Sequence, residues 1–284
     1  MGEMVKILIT GAHGQLGKEL VRKSHLSHSI VSLGKKELDI TSQDQVENVI
    51  LHFKPQYIIH TAAFTSAEQC EIQRKKAFEV NALGAGIVAK TAEKVDARLF
   101  YISTDYVFDG KKNSPYTVED KPNPLSIYGM SKLLGERLVL LSKNASIIRT
   151  SWLFGHDGSN FVKTMLKLAK MGKEVKVVND QIGCPTYVSD LAETILQLLE
   201  KKNGIYHVSN SGYCSWYTFA QTIFEEAGFD SKLVKPVTTK EYGAICPRPE
   251  YSIMENNSLV KQGIKPLRHW KEALNEFMRK ELSQ

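Results

Sequence analysis

Residues 5–17, which read VKILITGAHGQLG, decide the fold. The first half is an apolar run that predicts a buried parallel strand ending at Thr10. The second half has the spacing T-G-x-x-G-x-x-G, and a helix is predicted from about Gly14 to Lys23. Glycines between a strand and a helix allow a tight bend and the close approach of a pyrophosphate, and the N–H groups of the helix start face that ligand. A plain turn is the alternative, but the flanking strand and helix favour a dinucleotide site. The residues expected to form it are Gly11, His13, Gly14, Gln15, Leu16 and Gly17.

Strands and helices alternate along the first half of the chain. Further strands are predicted near residues 29–33, 56–60, 99–103 and 145–149, with helices starting at Thr41 and covering about 68–81, 84–95 and 126–142. Because parallel strands need crossover connections, this order predicts an α/β fold with a Rossmann-type, doubly wound parallel sheet. The dinucleotide-binding domain is predicted to span residues 1–151. Residues 152–284 are expected to form mainly a smaller substrate-binding lobe, with helices near 160–171, 189–200, 215–227 and 269–282 and with late segments free to return to the main sheet.

Composition excludes several other classes of protein. The chain has 284 residues, of which 42% are hydrophobic and 24% charged, as in ordinary globular proteins. Its formal charge of +6 comes from scattered lysines, whereas nucleic-acid binding would need a clustered basic stripe. The four cysteines lack CxxC spacing, so reduced thiols and no metal site are expected. The apolar run at residues 5–10 is too short to span a membrane and has no cleavage pattern, which favours a cytoplasmic protein that does not bind membranes.

The end of the second predicted strand bears on the choice of cofactor. In a dinucleotide fold this strand end meets the adenosine ribose, where an acidic residue would hold the free hydroxyl of NAD. Here the strand is followed by Gly34, Lys35 and Lys36, which leave space and positive charge for a 2′-phosphate. NADPH is therefore favoured, with Lys35 as a contact. In the alternative interpretation the lysines are ordinary loop residues and Glu37 takes the ribose, so NADH use stays open.

Tyr128 and Lys132 form a Y-x-x-x-K pattern at the start of a predicted helix. Residues four apart share one helical face, and a lysine ammonium near a phenol favours the phenolate and makes proton transfer easier. The pattern alone is common on protein surfaces. It gains weight because it follows the strand that ends at Thr104, where a hydroxyl that binds a carbonyl would belong.

The glycine spacing and the Tyr-Lys pattern resemble those of the extended short-chain dehydrogenase/reductase superfamily. That resemblance implies that Thr104 binds the substrate carbonyl and that Tyr128 protonates it as hydride arrives. Lys132 would also hold the nicotinamide ribose. It further implies cofactor contacts at Asp39, Ile40, Ala62 and Ala63.

Within that superfamily, most of the chain resembles the dTDP-4-dehydrorhamnose reductases. The segments that carry the likeness are RTSW (149–152), NF (160–161), TML (164–166), DQ (180–181), PT (185–186) and RP (248–249). Related dehydratases place Asp-Glu after the threonine, but this chain has Asp105-Tyr106, which favours simple keto reduction over loss of water. The resemblance implies that the substrate meets Thr104, Tyr106, Trp152, Asn160 and, at its diphosphate, Arg248. A departure at residues 255–257 leaves contacts there undecided.

The expected reaction is the NADPH-dependent reduction of the 4-keto group of dTDP-4-dehydro-L-rhamnose to dTDP-L-rhamnose, a precursor of surface polysaccharide. One alternative is a non-catalytic regulatory subunit similar to that of methionine adenosyltransferase. Another is a reductase or epimerase of a different nucleotide sugar. The sequence leaves open the stereochemistry of the sugar and the oligomeric state, including a homodimer.

Overall fold

A computed structural model describes residues 5–24 and 28–283 of the chain. At its centre is a sheet of six parallel strands. These strands are β1 (Lys6–Thr10), β2 (Ser29–Leu33), β3 (Tyr57–His60), β4 (Arg98–Thr104), β5 (Ala145–Thr150) and β10 (Ile205–His207). Their spatial order in the sheet is β10-β5-β4-β3-β1-β2. All five strands predicted in the first half of the sequence are present, and the Rossmann-type α/β fold is confirmed. The sixth strand comes from the second half, so a late segment does return to the main sheet.

Helices cover both faces of this sheet. They are α1 (Gln15–Ser24), α2 (Gln43–Phe53), α3 (Ala67–Ile72), α4 (Arg74–Phe78), a π-helical turn (Glu79–Gly84), α5 (Ala85–Glu93), α6 (Ile127–Val139) and α8 (Val188–Leu198). Side chains alternate across each strand, so Leu8 packs into one core while Ile7 and Ile9 pack into the other. Each fully buried Leu or Ile stabilises the folded state by about 1.5–3 kcal/mol relative to an exposed one. Buried apolar side chains cover both faces of the sheet.

Two helix predictions in the first half need correction. The helix expected to begin at Thr41 has Ser42 as its N-cap, because the Thr41 hydroxyl donates instead to Asp39 Oδ1 at 2.7 Å. The single helix expected over residues 68–81 is divided into α3, α4 and the π-helical turn. The break falls at Gln73, whose backbone is not helical (φ −107°, ψ 55°).

A second group of elements lies outside the six-stranded sheet, in the part of the chain that is predicted to be a smaller lobe. Its elements are β6 (Leu153–Phe154), α7 (Phe161–Lys170), β7 (Val175–Val178), β8 (Ile182–Gly183), β9 (Thr186–Tyr187), β11 (Asn210–Ser211), β12 (Cys214–Ser215), α9 (Trp216–Glu226), β13 (Val234–Val237), α10 (Thr239–Tyr242), α11 (Asn257–Val260), β14 (Leu267–His269) and α12 (Trp270–Leu282). The strands pair as short two-stranded sheets, and α9 packs on α7. Within the described ranges no helix combines the length and apolar character that crossing a membrane requires.

Candidate active site

A cleft of about 740 Å³ lies at the carboxyl ends of β1, β3, β4 and β5, between the sheet and the smaller lobe. In open α/β sheets this edge is where ligands bind. The predicted site residues that line the cleft are Gly11, His13, Gly14, Gln15, Leu16, Gly17, Lys35, Asp39, Ile40, Ala62, Ala63, Thr104, Tyr106, Tyr128, Lys132 and Trp152. Asn160 and Arg248 are not among its lining residues. The fold therefore gathers six separate segments of the chain into one site.

The glycine turn between β1 and α1 is shaped for close backbone contact. A Cβ at Gly11 would lie 2.5 Å from the Ala62 nitrogen, and one at Gly17 would lie 2.4 Å from the Gly11 oxygen. A Cβ at Gly14 would have one neighbour within 4 Å, the Gly11 oxygen at 3.3 Å, so this position opens toward the cleft. The first turn of α1 has no acidic residue, and its free N–H groups attract an anion. These features fit the pyrophosphate of a dinucleotide.

The adenosine end of the cleft contains Lys35 and Asp39. The exposed Lys35 lines the cleft, whereas Glu37 turns back and accepts a hydrogen bond from the Gly34 nitrogen at 2.9 Å. Hydrogen bonds from Thr41 lower the pKa of the Asp39 carboxyl, so it is ionised at neutral pH. A lysine in the cleft and a glutamate tied to the backbone fit the 2′-phosphate of NADPH.

Thr104 and Tyr128 face each other at the carbonyl end. Thr104 ends β4, and Tyr128 lies in the first turn of α6, which Ser126 caps by accepting from the Gly129 nitrogen at 3.1 Å. Burial raises the pKa of the Tyr128 phenol, and a hydrogen bond with the Thr104 side chain opposes this rise. The phenol is therefore protonated at neutral pH, as a proton donor must be.

Lys132 lies one turn further along α6 and is 2% exposed. Its Nζ donates to the Ile102 carbonyl at 2.6 Å and lies 3.9 Å from the centre of the Tyr101 ring. Burial lowers the pKa of this ammonium to about 7, and Glu136 opposes the shift. The ammonium is thus held on the β4 backbone, and its predicted influence on the Tyr128 phenol stays a prediction.

An ion pair beneath the cleft was missed by sequence reasoning. Glu136 and Arg149 are both 2% exposed in their side chains and lie 2.7 Å apart, and Ser103 donates to Glu136 at 2.5 Å. The pair joins α6 to the ends of β4 and β5, the elements that carry Lys132 and Thr104. The spacing from Lys132 to Glu136, again four residues on one helical face, is a signal that could have drawn attention to Glu136 but not to its partner Arg149.

Asn81, in the π-helical turn, is a second residue that sequence reasoning missed. Its Nδ2 donates to Ser131 Oγ and to the Phe64 carbonyl, both at 3.0 Å, and its Oδ1 accepts from the Phe64 nitrogen at 2.7 Å. The backbone oxygen of Asn81 accepts from the Tyr101 hydroxyl at 2.8 Å. Asn81 therefore ties α6 to the loop after β3, and π-helical segments are often found at functional sites.

Asp105 also lines the cleft, next to Thr104. Its side chain is buried and accepts from the Thr104 hydroxyl at 3.1 Å. Burial raises the pKa of Asp105 to about 6, and bonds from Ser252 and Thr104 oppose the rise. The sequence interpretation used this residue only to argue against dehydration, yet its carboxyl helps to orient the hydroxyl that faces Tyr128.

The two predicted substrate contacts outside the cleft lining have other partners. Asn160 caps α7 by accepting from the Lys163 nitrogen at 3.1 Å, as asparagine commonly does at a helix start, and its Nδ2 donates to Gln15 Oε1 at 3.0 Å. Arg248 Nη2 donates to Glu68 Oε1 at 2.5 Å, which joins the loop after α10 to α3. Their contacts with substrate stay predictions.

No group of three or more His, Cys, Asp or Glu side chains within the described ranges is arranged to hold a metal ion.

A phenol that faces the dinucleotide turn of a parallel sheet, with its lysine one helical turn away, is the arrangement of the extended short-chain dehydrogenases and reductases, and this protein has that fold. The sequence model of the RmlD substrate binding domain matches residues 5–283. The chain therefore belongs to that family.

Three relatives illustrate the likeness. The spore coat polysaccharide biosynthesis protein SpsK of Bacillus subtilis is 48% identical over 99% of both chains. The dTDP-4-dehydrorhamnose reductase of Aggregatibacter actinomycetemcomitans is 42% identical, over 96% of this chain and 98% of that protein. The crystal structure of dTDP-4-dehydrorhamnose reductase from Bacillus anthracis in complex with NADP is 45% identical, has a TM-score of 0.95, and matches 98% of this chain and 100% of that one.

Proposed function

We propose that this protein uses NADPH to reduce the 4-keto group of dTDP-4-dehydro-L-rhamnose, giving dTDP-L-rhamnose. The observation that carries the proposal is the placement of Thr104 and Tyr128 in one cleft with the glycine turn. Relatives that are 42% and 38% identical are dTDP-4-dehydrorhamnose reductases and match at least 95% of this chain. The spore coat role of SpsK agrees with a product destined for a surface polysaccharide.

Each step can be assigned to side chains already described. NADPH, when bound, supplies the hydride that adds to the carbonyl carbon. The Thr104 hydroxyl, which donates to Asp105 in this structure, turns to donate to the carbonyl oxygen of the bound substrate. Tyr128 transfers its phenolic proton to that oxygen as negative charge develops there. The carbonyl thus gains one hydride and one proton and becomes a hydroxyl. The Lys132 ammonium, one helical turn along α6, would stabilise the negative charge left on the Tyr128 oxygen, and it would hold the ribose hydroxyls of the cofactor.

Lys35 supports NADPH as the preferred cofactor. An ammonium at the end of β2 attracts the 2′-phosphate, while Glu37 is engaged by the Gly34 nitrogen and leaves that space free. The NADP complex of the Bacillus anthracis relative supports the same choice.

We also propose that the protein acts in the cytoplasm as a homodimer. Apolar side chains are exposed on α6 and on the π-helical turn packed against it: Met130 is 41% exposed, Leu134 36% and Leu83 54%. A second copy of this face would cover them, and sedimentation analysis tests the dimer directly.

The test of the reaction is NADPH consumption by the purified protein with dTDP-4-dehydro-L-rhamnose. Tyr128→Phe should lower kcat by at least about a hundredfold, because the proton donor is lost. Tyr242→Phe, at a tyrosine that is 55% exposed, is the matched control and should behave as the wild type. Binding of NADPH without its oxidation, or equal rates in the wild type and Tyr128→Phe, would overturn the proposal.

The same assay separates the two alternatives. An epimerase would retain oxidised cofactor and show no net loss of NADPH. A regulatory subunit would show no turnover with any 4-keto-6-deoxy nucleotide sugar and would instead change the kinetics of a methionine adenosyltransferase.

A further inference from the structure

Thr150 carries a buried hydroxyl at the carbonyl end of the cleft. The residue ends β5, lines the cleft and is 4% exposed. Its neighbours in the chain are both engaged, since Arg149 bonds to Glu136 and Ser151 donates to the Cys184 carbonyl at 2.7 Å. The Thr150 Oγ1 atom, by contrast, has no hydrogen-bond partner among the residues that the structure describes. Buried polar groups are nearly always hydrogen-bonded, so this hydroxyl calls for a partner from outside the chain.

The Thr150 side chain lies beside that of Thr104. The two threonines are a register pair at the ends of β5 and β4, and neighbouring strands are about 4.8 Å apart. Paired residues of neighbouring strands point to the same side of the sheet. The preceding pair shows this, because Ser103 and Arg149 both contact Glu136. A ligand whose carbonyl binds at Thr104 therefore has its adjoining atoms next to Thr150.

A rotation about χ1 brings the Thr150 oxygen to the cleft. In this structure Oγ1 is shielded from solvent, while the residue itself is part of the cleft lining. Threonine exchanges its hydroxyl and its methyl by moving between staggered χ1 rotamers. Because Oγ1 gives up no hydrogen bond to the described residues when it moves, a ligand can recruit it at little cost.

The chemistry of a 4-keto-6-deoxy sugar indicates which ligand atom this hydroxyl meets. The carbonyl oxygen has two lone pairs, and the proposed reaction already gives it Thr104 and Tyr128 as donors. On one side of the carbonyl, C5 carries a methyl group and the ring oxygen. On the other side, C3 carries a hydroxyl, which can both donate and accept a hydrogen bond. The C3 hydroxyl is therefore the partner that fits an unpaired threonine beside Thr104.

We propose that Thr150 is a specificity-determining residue that forms a hydrogen bond with the C3 hydroxyl of the sugar, next to the reacting carbonyl. A second point of attachment beside Thr104 limits rotation of the sugar ring and helps to align the carbonyl carbon with the hydride donor. This inference rests on the proposed function, because it takes a 4-keto nucleotide sugar as the ligand.

The test compares dTDP-L-rhamnose with dTDP-3-deoxy-L-rhamnose, which lacks that hydroxyl. Their Kd values are measured by calorimetry on the NADP-saturated protein, so that turnover is not needed. The wild type should bind the 3-hydroxy sugar about threefold to tenfold more tightly, which is the strength of one hydrogen bond. Thr150→Val removes the threonine hydroxyl at nearly constant shape and should bind the two sugars equally. Thr150→Ser keeps a hydroxyl and should retain most of the preference.

Two further measurements separate a contact with the ligand from a structural role. Thr150→Val removes a buried hydroxyl that has no partner among the described residues, so the Tm of the ligand-free protein should not fall. Thr91→Val is the matched control, because Thr91 is also buried but donates to the Ile87 carbonyl at 2.8 Å, outside the cleft lining. This control should keep the preference of the wild type. The Kd for NADPH should stay within about twofold in all the variants, since the glycine turn is unchanged.

Four outcomes overturn the inference: equal affinity of the wild type for the two sugars, an undiminished preference in Thr150→Val, a fall in the Tm of that variant, or a rise in its Kd for NADPH. The last result would assign the hydroxyl to the nicotinamide. Failure of the proposed function is a separate result. It is seen when the wild type prefers the 3-hydroxy sugar and Thr150→Val does not, yet the wild type does not oxidise NADPH with the 4-keto substrate.

Discussion

The Arg149 guanidinium donates to both oxygens of the Glu136 carboxylate, from Nε at 2.9 Å and from Nη2 at 2.7 Å. Both side chains are 2% exposed, and the pair lies beneath the cleft. It connects α6 to β5, while Ser103 connects the same carboxylate to β4. The helix that carries Tyr128 and Lys132 and the strand that carries Thr104 are therefore fixed to one buried charge pair.

Glu136→Gln should destabilise the protein strongly. The change leaves the buried Arg149 cation without its counter-charge, and breaking a buried pair in this way costs about 3–5 kcal/mol. Urea unfolding measures the loss in free energy of unfolding. Glu193→Gln is the control, because Glu193 is 64% exposed in its pair with Lys23, and it should cost less than about 1 kcal/mol. Equal effects of the two substitutions would contradict the structural role of the buried pair.

Lys132 should make the folded protein less stable near neutral pH than at alkaline pH. Its pKa falls from 10.5 in the unfolded chain to about 7 in the fold, because of burial. Between those values the unfolded state binds more protons, so stability rises with pH across this window. Lys132→Met removes this pH-dependent contribution. The free energy of unfolding of the variant should therefore exceed that of the wild type at about pH 7, and the difference should disappear toward about pH 10.

Urea unfolding of both proteins across this range measures the difference. Lys90→Met, at an exposed lysine of α5, should follow the wild type at every pH. A gap between Lys132→Met and the wild type that widens as the pH rises would contradict the prediction.

Gly14 and Gly17 should respond differently to alanine. At Gly17 the new methyl would overlap the Gly11 oxygen at 2.4 Å, so the variant should lose about 1–3 kcal/mol of stability as well as NADPH binding. At Gly14 the methyl points into the cleft, so stability should change by less than about 0.5 kcal/mol while NADPH affinity falls by more than about tenfold. Thermal unfolding and NADPH fluorescence titration separate the two effects. Gly204→Ala has no atom closer than 4.0 Å to the added methyl and serves as the control.

Lys35 should determine the preference for NADPH over NADH. Lys35→Ala removes an ammonium from the adenosine end of the cleft and should raise the KM for NADPH roughly threefold to tenfold. The KM for NADH should not change, since NADH has no 2′-phosphate. Lys36→Ala, at an exposed lysine outside the cleft lining, should leave both constants as they are. An equal rise in the KM for NADPH and the KM for NADH in Lys35→Ala would show that this lysine does not recognise the 2′-phosphate.

Much of the fold could be predicted because its signals are local. The apolar run before Thr10, the glycines after it and the alternation of strands and helices each depend on neighbouring residues, and all five early strands lie where they were expected. The Tyr128–Lys132 spacing predicted two side chains of one site in the same way. The contacts of Asn81 with Phe64 and Ser131 were not predictable, because their partners come from other parts of the chain.

The sequence by itself determined the parallel α/β sheet, the dinucleotide turn and the Tyr-Lys helix, since periodicity, glycine conformation and helical spacing act over a few residues. Tertiary structure alone decided that Trp216 lies on Trp152 and that Glu136 pairs with Arg149. It also decided that Asn160 donates to Gln15 and that Arg248 pairs with Glu68. These contacts join residues far apart in the chain, so they form only when the fold brings both partners together.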